Sequence, residues 1–380
     1  FQNSSEWLHL SVSQFETYHR LARSALERAT EIGECPPTRY WGIAMSHAAD
    51  REWPKQDDQL DKVKKDFRDD PEKLSVELKR LEKSFRQPHR TAYFKELSSG
   101  RTALARWQYH GARYAFSPTD EPPDFPDAVD CVAILPAGRQ QELIIELGNQ
   151  LPDEGTMRVT VRASRVGSDG DRSPSMQLLF GWRASNEGRA LLRVSQSDTP
   201  VTAAPDQPQL IQWDVPLGEI YPRNSVRKTS PMGSTPSPSE YIRLANSSAS
   251  NDEIQIDFVS VAAPVYEQWP PESHRRIFFE SEHSNDELAY AKEIVTAFLS
   301  RAWRRPTTEH EVQQKLNLFS EIRSNCDSFE AAIVEVLATA LSSPQFLYIS
   351  NDSDSHVAIR PTVETSERSS LTSHALATRL

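Results

Sequence analysis

Three arginines flank a tryptophan in Arg301-Ala302-Trp303-Arg304-Arg305-Pro306. A guanidinium presents a fixed fork of donors that fits a carboxylate or phosphate. Arg301, Arg304 and Arg305 are therefore a candidate anion site. The same residues at a helix end also suit its last carbonyls and nearby acids, with Trp303 as a core anchor. The sequence leaves both roles open. Trp182, Trp213 and Tyr221 carry a different chemistry, stacking on the faces of pyranose rings. Trp213 lies inside the alternating run Leu210-Ile211-Gln212-Trp213-Asp214-Val215 and points to core; Trp182, between Gly181 and Arg183, is expected to stand exposed. Asp169-Gly170-Asp171 supplies only part of the six to eight oxygens that calcium takes and reads as a solvated turn. His47, His89 and His110 are isolated. His-Glu-x-x-His, a Gly-x-Ser-x-Gly elbow, a phosphate loop and a dinucleotide fingerprint are all absent. No catalytic residue and no metal ligand set is read.

Composition narrows the classes further. A chain of 380 residues is long for one core. Asp and Glu number 54 against 43 Lys and Arg, a net charge of −11. Nucleic-acid binding is not expected, because it draws on a basic surface. Mean hydropathy is −0.60, and no apolar run approaches the roughly 18 residues that would span a bilayer. Cys35, Cys131 and Cys326 are far apart. Neither a disulfide framework, a zinc cluster nor a Cys-x-x-Cys-His haem attachment is supported, so no cofactor is expected in these residues. The start at Phe1-Gln2-Asn3 and the close at Leu371 to Leu380, which looks like a new helix, read as the edges of a piece of a longer protein.

The elements that must position these residues fall into five stretches. Residues 1–50 are read as an N-terminal helical segment: Ser11 or Ser13 caps a stripe of Phe15, Tyr18, Leu21, Ala22, Ala25 and Leu26, and Gly33 with Pro36-Pro37 ends it. Residues 51–90 form a charged helical hairpin, with Leu60, Val63 and Phe67 on one arm and Leu74, Leu78, Leu81 and Phe85 on the other. Asp70 and Pro71 restart the helix between them. Residues 91–268 change from helical spacing to alternation, in runs such as 142–147, 158–163, 177–181, 191–194, 210–215, 240–244 and 253–261. Short strands with polar turns between them and no helices imply an antiparallel sandwich, jelly-roll-like in outline. Its Pro- and Ser-rich stretch 222–239 reads as a mobile loop. Residues 269–350 return to a small helical domain, with Thr308 and Glu311 as one capping box and Asp327 with Glu330 as another. Pro306 and Pro344 punctuate its helices, and Trp269-Pro270-Pro271 reads as a rigid strap. Residues 351–380 read as a linker and the truncated start of a further domain.

The phrase from Ala263 through Trp269-Pro270-Pro271 to Phe278, with Arg301 to Pro306 and Ser342-Ser343-Pro344-Gln345-Phe346-Leu347-Tyr348, resembles the large planctomycete-type multidomain proteins. These are built from domains of unknown function and often carry a cytochrome-c-like domain. The resemblance runs from about 253 to 350, is weaker at 1–30, and does not extend to the charged insert. It implies an extracytoplasmic bacterial protein whose middle domain is similar in outline to jelly-roll carbohydrate-binding modules. The function expected is a non-catalytic binding or scaffold portion of a larger exported protein, presenting the sandwich to a polysaccharide. The alternatives are an accessory part of a haem-linked oxidoreductase or hydrolase whose centre lies elsewhere, and a module that docks other domains of the same chain.

Overall fold

Pro36 and Pro37 cannot continue a helix, and at Cys35/Pro36 the chain passes from a helical unit into a β-rich one; it returns at Glu267/Gln268. The computed structural model describes residues 11–31, 33–107, 115–137, 142–167, 172–246 and 251–347. The segment read as 1–50 is thus shared between the units. Its helix belongs with the residues from Gln268 onward, and the rest belongs with Pro36–Glu267.

In chain order the elements are α1 (Val12–Thr30), β1 (Arg39–Ala44), α2 (Met45–Ala49), α3 (Trp53–Asp66), α4 (Pro71–Phe85), β2 (Tyr93–Glu96), β3 (Thr102–Leu104), β4 (Cys131–Leu135), β5 (Glu142–Gly148), β6 (Thr156–Val166), β7 (Ser175–Arg183), β8 (Arg189–Arg193), β9 (Thr199–Pro200), β10 (Gln209–Pro216), β11 (Glu240–Asn246), β12 (Glu253–Val265), α5 (Glu272–Arg275), α6 (Glu287–Ala302), α7 (Glu309–Ile322), α8 (Phe329–Leu341) and α9 (Pro344–Leu347). The architecture is α+β: helices, an antiparallel sandwich, and helices again.

The β-rich unit holds two antiparallel sheets. The larger runs β10-β6-β12-β4-β2-β3, and the smaller runs β5-β11-β7-β8 with β9 beside β7. β12 spans the larger sheet. On one edge it pairs with β6, and on the other its first half pairs with β4 and its second with β1. Alternation is the reason these runs form a sandwich: Met157, Val159, Val161 and Ala163 of β6 meet Leu143, Ile145 and Leu147 of β5, Met176, Leu178 and Phe180 of β7, and Ile242 and Leu244 of β11 in one core. In β12 the inward positions change parity, from Ile254 and Ile256 to Val259, Val261 and Ala263. A register shift between Ile256 and Phe258 makes that change. Asp257, at the shift, is held by Arg162 at 2.6 Å. Strands β1 to β4 were not legible as strands. Trp41 of β1 is fully buried and donates its indole N–H to the carbonyls of Phe116 and Leu147.

The charged hairpin is α3 and α4, restarted by Asp70 accepting from the Lys73 amide with Pro71 in the first turn. The 222–239 stretch, read as a mobile loop, is instead held by buried polar groups: Asn224, Arg227, Ser237 and Ser239 are all buried, and the Asn224 amide donates to the Ser237 and Ser239 carbonyls.

In the helical unit α8 is buried nearly all round, among Leu299, Trp303, Leu316 and Phe319. Ser11 caps α1 in a capping box with Gln14, and Thr308 caps α7 with Glu311. Ser328, not Asp327, caps α8. Only the C-terminal end of the α1 stripe is buried, at Leu26, while Phe15, Tyr18 and Leu21 are exposed.

His274 of α5 is 6 % exposed, and neither ring nitrogen has a hydrogen-bond partner among the described residues. Its ring lies 5.0 Å from that of Phe278. Burial holds its proton affinity below the ordinary histidine value, opposed by the Glu330 carboxylate. The unfolded chain therefore binds the proton more readily, and this contribution to stability is present above about pH 6.5 and is lost as pH falls toward the lower folded value. The unfolding midpoint of the helical unit in urea should drop between pH 7.5 and 5 by more in the native protein than in His274→Phe. Equal drops would remove His274 as the cause.

Candidate binding face

The residues singled out from sequence separate once placed. Trp182, expected to be exposed, is 8 % exposed and donates its indole N–H to the Pro222 carbonyl at 2.9 Å. The reason is parity: Met176, Leu178 and Phe180 of β7 face the core, and Trp182 continues that series. Trp213 is also core. Of the three stacking candidates only Tyr221 is open, at 83 % exposure.

The arginines of the 301–306 phrase serve the helical unit itself. Arg301 donates to the carbonyls of Ala297 and Arg276. Arg304 is exposed with φ 57°, the left-handed residue just past the end of α6. Arg305 forks onto Glu311 at 3.1 and 2.5 Å, and its guanidinium lies 5.3 Å from the Trp303 ring centre. That fork, with the Thr308 contacts, draws the Glu311 carboxyl down to about 2. The Trp303 indole donates to the Ala340 carbonyl. Pro306 lies between Arg305 and the α7 cap, and Pro344 opens α9 rather than only closing α8. The Trp269 indole donates to the Gly33 carbonyl. Asp169-Gly170-Asp171 and His110 lie outside the described residues.

A convergent set of aromatic and charged side chains appears elsewhere, on the outer face of the five-stranded sheet. With Leu143, Ile145, Ile242, Leu244, Phe180 and Trp182 turned inward, the alternate positions Ile144, Glu146, Tyr241, Arg243, Gly181 and Arg183 turn outward. Register places Tyr241 opposite both Glu146 and Gly181. A Cβ at Gly181 would stand 2.8 Å from the Tyr241 ring, so glycine there lets the phenol lie down across β7. Trp107 packs on that phenol with ring centres 5.4 Å apart, and the Arg183 guanidinium lies 6.0 Å from the indole centre. Tyr241 is 7 % exposed and Trp107 half-buried, so the indole is the outer member of the pair and the phenol its support.

Glu146 completes the group. Burial pushes its carboxyl up, opposed by the Trp107 indole and the Arg51 charge. Burial, followed by the Glu146 charge, pushes the Tyr241 phenol up; Arg183 and Arg189 act in the opposite sense. Arg243 pairs with Glu142 across the same face. Behind Glu146 a cavity of about 30 Å³ is lined by Arg51, Trp107, Phe116 and Ile144, among others. Arg51 and Phe116 also line an open groove of about 880 Å³ with His47, Asp50 and Thr119.

Residues 290–351 match the family model described as PSD5, a protein of unknown function (DUF1595). No curated protein matches the chain. Among solved structures it is similar to the CBM22-1 xylan-binding domain of Paenibacillus barcinonensis Xyn10C, at 10% identity and TM-score 0.24, over 37% of this chain and 78% of that one. It is also similar to the CBM22-1–GH10 modules of Clostridium thermocellum xylanase 10B solved with xylohexaose, at 9% identity and TM-score 0.25, over 57% and 33%. A third is the isomalto-dextranase of Arthrobacter globiformis T6 solved with panose, at 10% identity and TM-score 0.22, over 35% and 18%. Scores this low leave the case for binding to the outer face itself.

Sequence reading passed over Trp107, Glu146, Tyr241, Arg183 and Arg243 as site residues. A signal was present. In Glu240-Tyr241-Ile242-Arg243-Leu244 the aliphatic parity assigns Ile242 and Leu244 inward, which turns Tyr241 and Arg243 out on a shared face. Trp107, outside any strand, carries no such signal. Among the described residues no cluster of three or more His, Cys, Asp or Glu could hold a metal, and no helix is long and apolar enough to cross a membrane.

Proposed function

We propose that the β-rich unit is a glycan-binding sandwich, and that the chain is a non-catalytic binding portion of a larger exported bacterial protein. The observation that carries the reading is the Trp107–Tyr241 pair on the outer sheet face, flanked by Glu146 and Arg183. An aromatic ring offers its face to the C–H surface of a sugar ring, and flanking carboxylate and guanidinium groups reach hydroxyls. Tyr221 is a second exposed aromatic available to a long polymer.

Trp107→Ala should lower polysaccharide affinity about tenfold, the equivalent of the roughly 1.4 kcal/mol of a lost stacking contact. Affinity electrophoresis of the 380-residue chain through gels containing xylan, mixed-linkage glucan, polygalacturonate or alginate measures it. Equal retardation of native protein and variant in every gel would overturn the face as the binding site.

The planctomycete-type setting, the extracytoplasmic location and a cytochrome-c-like domain elsewhere in the same protein belong to this proposal, supported by the DUF1595 match at 290–351 and the resemblance of the phrases around it. The full-length sequence tests them: an export signal and a Cys-x-x-Cys-His outside these residues are expected.

A further inference from the structure

The chain from Ala115 to Pro123 is pinned to two strands at once. The Phe116 backbone N–H donates to the Glu146 carbonyl of β5 at 2.9 Å, and the Trp41 indole of β1 donates to the Phe116 carbonyl at 3.1 Å. Thr119 exchanges both backbone hydrogen bonds with Tyr40 of β1, at 2.7 and 2.9 Å. A Cβ at Gly42 would stand 2.5 Å from the Pro123 side chain, so glycine there lets this segment lie against β1. The groove of about 880 Å³ lies between the pinned segment and α2 with the two residues that follow it, Asp50 and Arg51.

Groove and aromatic platform adjoin. Trp107 and Glu146 line one small cavity with Ala48, Arg51 and Phe116, and those three line the groove as well. Trp107 and the groove are thus neighbours across three side chains. Arg51 also donates to the carbonyl of Arg106, the residue before Trp107, at 3.3 Å. The lining of the groove is mixed. Phe116, Pro122 and Pro123 give it C–H and ring surface, and the His47 ring meets Phe116 edge-on at 5.6 Å. Asp50, Ser117 and Glu121 are exposed in it, and their side chains make no hydrogen bond or ion pair among the described residues. These donors and acceptors stand on a wall already held by β1 and β5, so little ordering is lost when a ligand takes them up.

Resting on the glycan-binding reading, we infer that the ligand is an uncharged polysaccharide bound over several consecutive units, one against Trp107 and the following ones in the groove. A sugar hydroxyl both donates and accepts, so one chain can use Asp50 and Glu121 as acceptors and Ser117 and Arg51 as donors. Its ring faces meet Phe116 and the prolines. Charge chooses the uncharged class. A polyanion would meet the Asp50, Glu121 and Glu146 carboxylates along this path, and a polycation would meet Arg51.

The test is titration calorimetry of the native 380-residue chain with xylo-oligosaccharides, cello-oligosaccharides and oligogalacturonates, each from dimer to hexamer. Affinity for a neutral series should rise about tenfold from dimer to hexamer, as one or two added hydrogen bonds supply. Ser117→Trp fills the groove, and Glu121→Ala removes an acceptor from it. Both residues are exposed and lie outside helices and strands, so the variants should fold, as circular dichroism checks. The rise should vanish in Ser117→Trp and shrink in Glu121→Ala, whereas Trp107→Ala should weaken binding at every length. Affinity already complete at the dimer, lost in Trp107→Ala and intact in Ser117→Trp, overturns the groove and leaves the glycan reading standing. A rise with length that survives both groove substitutions overturns the groove as the path of the chain. Stronger binding of the oligogalacturonates than of both neutral series overturns the uncharged class. No affinity for any oligosaccharide, with no retardation in the polysaccharide gels, overturns both this inference and the glycan reading.

Discussion

Glu240→Gln should destabilise the β-rich unit by about 3–5 kcal/mol, because it strips one charge from a buried network and leaves the others in place. Glu240 is fully buried at the start of β11, at the inward parity of Ile242 and Leu244. Its carboxylate receives both arms of Arg223, at 2.8 and 2.6 Å, and the Asn224 backbone N–H at 3.2 Å. Arg227, 6 % exposed, stands 3.6 Å from the same carboxylate and reaches Asp153, which also meets Lys228. After the substitution Arg223 would keep the Pro152 carbonyl and the face of Phe180, neither of which carries a neutralising charge. A buried ion pair adds little net stability over an apolar replacement, yet removing one partner strands the other in low dielectric. Glu240→Gln should therefore cost more than the double variant Glu240→Met, Arg223→Leu, and urea unfolding followed through the sheet signal in circular dichroism measures both. A loss below about 1 kcal/mol in Glu240→Gln would mean that water, not the Glu240 carboxylate, satisfies the arginines.

This network also shows where the sequence was legible and where it was not. An acid at an inward position of an otherwise aliphatic alternation asks for a buried cation, so Glu240 was readable from its own strand. Its partners were not, because Arg223 and Arg227 lie in a Pro- and Ser-rich stretch with no periodicity to give direction. That composition suggested mobility, whereas the long-range pairing to Glu240 and Asp153 fixes it. Trp182 is the opposite case. Met176, Leu178 and Phe180 already set the parity of β7, and continuing it by two residues buries Trp182, but the adjoining Gly181 and Arg183 suggested a strand end. The outer-face site depends on β5, β7 and β11 being neighbours, an order that local alternation cannot supply. Trp107 joins it from outside any strand. The helices were read more fully because caps and apolar stripes are local: the Thr308–Glu311 box and the α6 face of the helical unit, and the Asp70–Pro71 restart of the charged hairpin, are all present. The pairing of α1 with α8, across some three hundred residues of sequence, was not local and was missed.

Trp303→Ala should cost the helical unit about 3–5 kcal/mol, the range for emptying a buried tryptophan site. Trp303 is 7 % exposed, among Leu299, Leu316 and Leu337 in the core of that unit. It also ties the end of α6 to the end of α8 through the Ala340 carbonyl, at 3.2 Å. Trp303→Phe keeps most of the apolar volume and loses that bond, so it should fall between the native chain and Trp303→Ala. The arginines around it have graded roles that a binding site would not impose. Arg304→Ala removes an exposed side chain and should shift the unfolding midpoint little. Arg305→Ala breaks the fork onto Glu311, which orders the α7 start, and uncovers the Trp303 ring. Its loss should be intermediate, and it should shrink in Glu311→Gln, since the two residues share one interaction. Stability loss ordered Trp303, Arg305, Arg304 marks an anchored helix end. The reverse order, with inorganic phosphate raising the midpoint of the native chain and not of Arg304→Ala, would restore the phrase as an anion site. Geometry favours the first order because two of the three guanidiniums already spend their donors on carbonyls and on Glu311, within the residues 290–351 that the DUF1595 model matches and at Arg276 just before them.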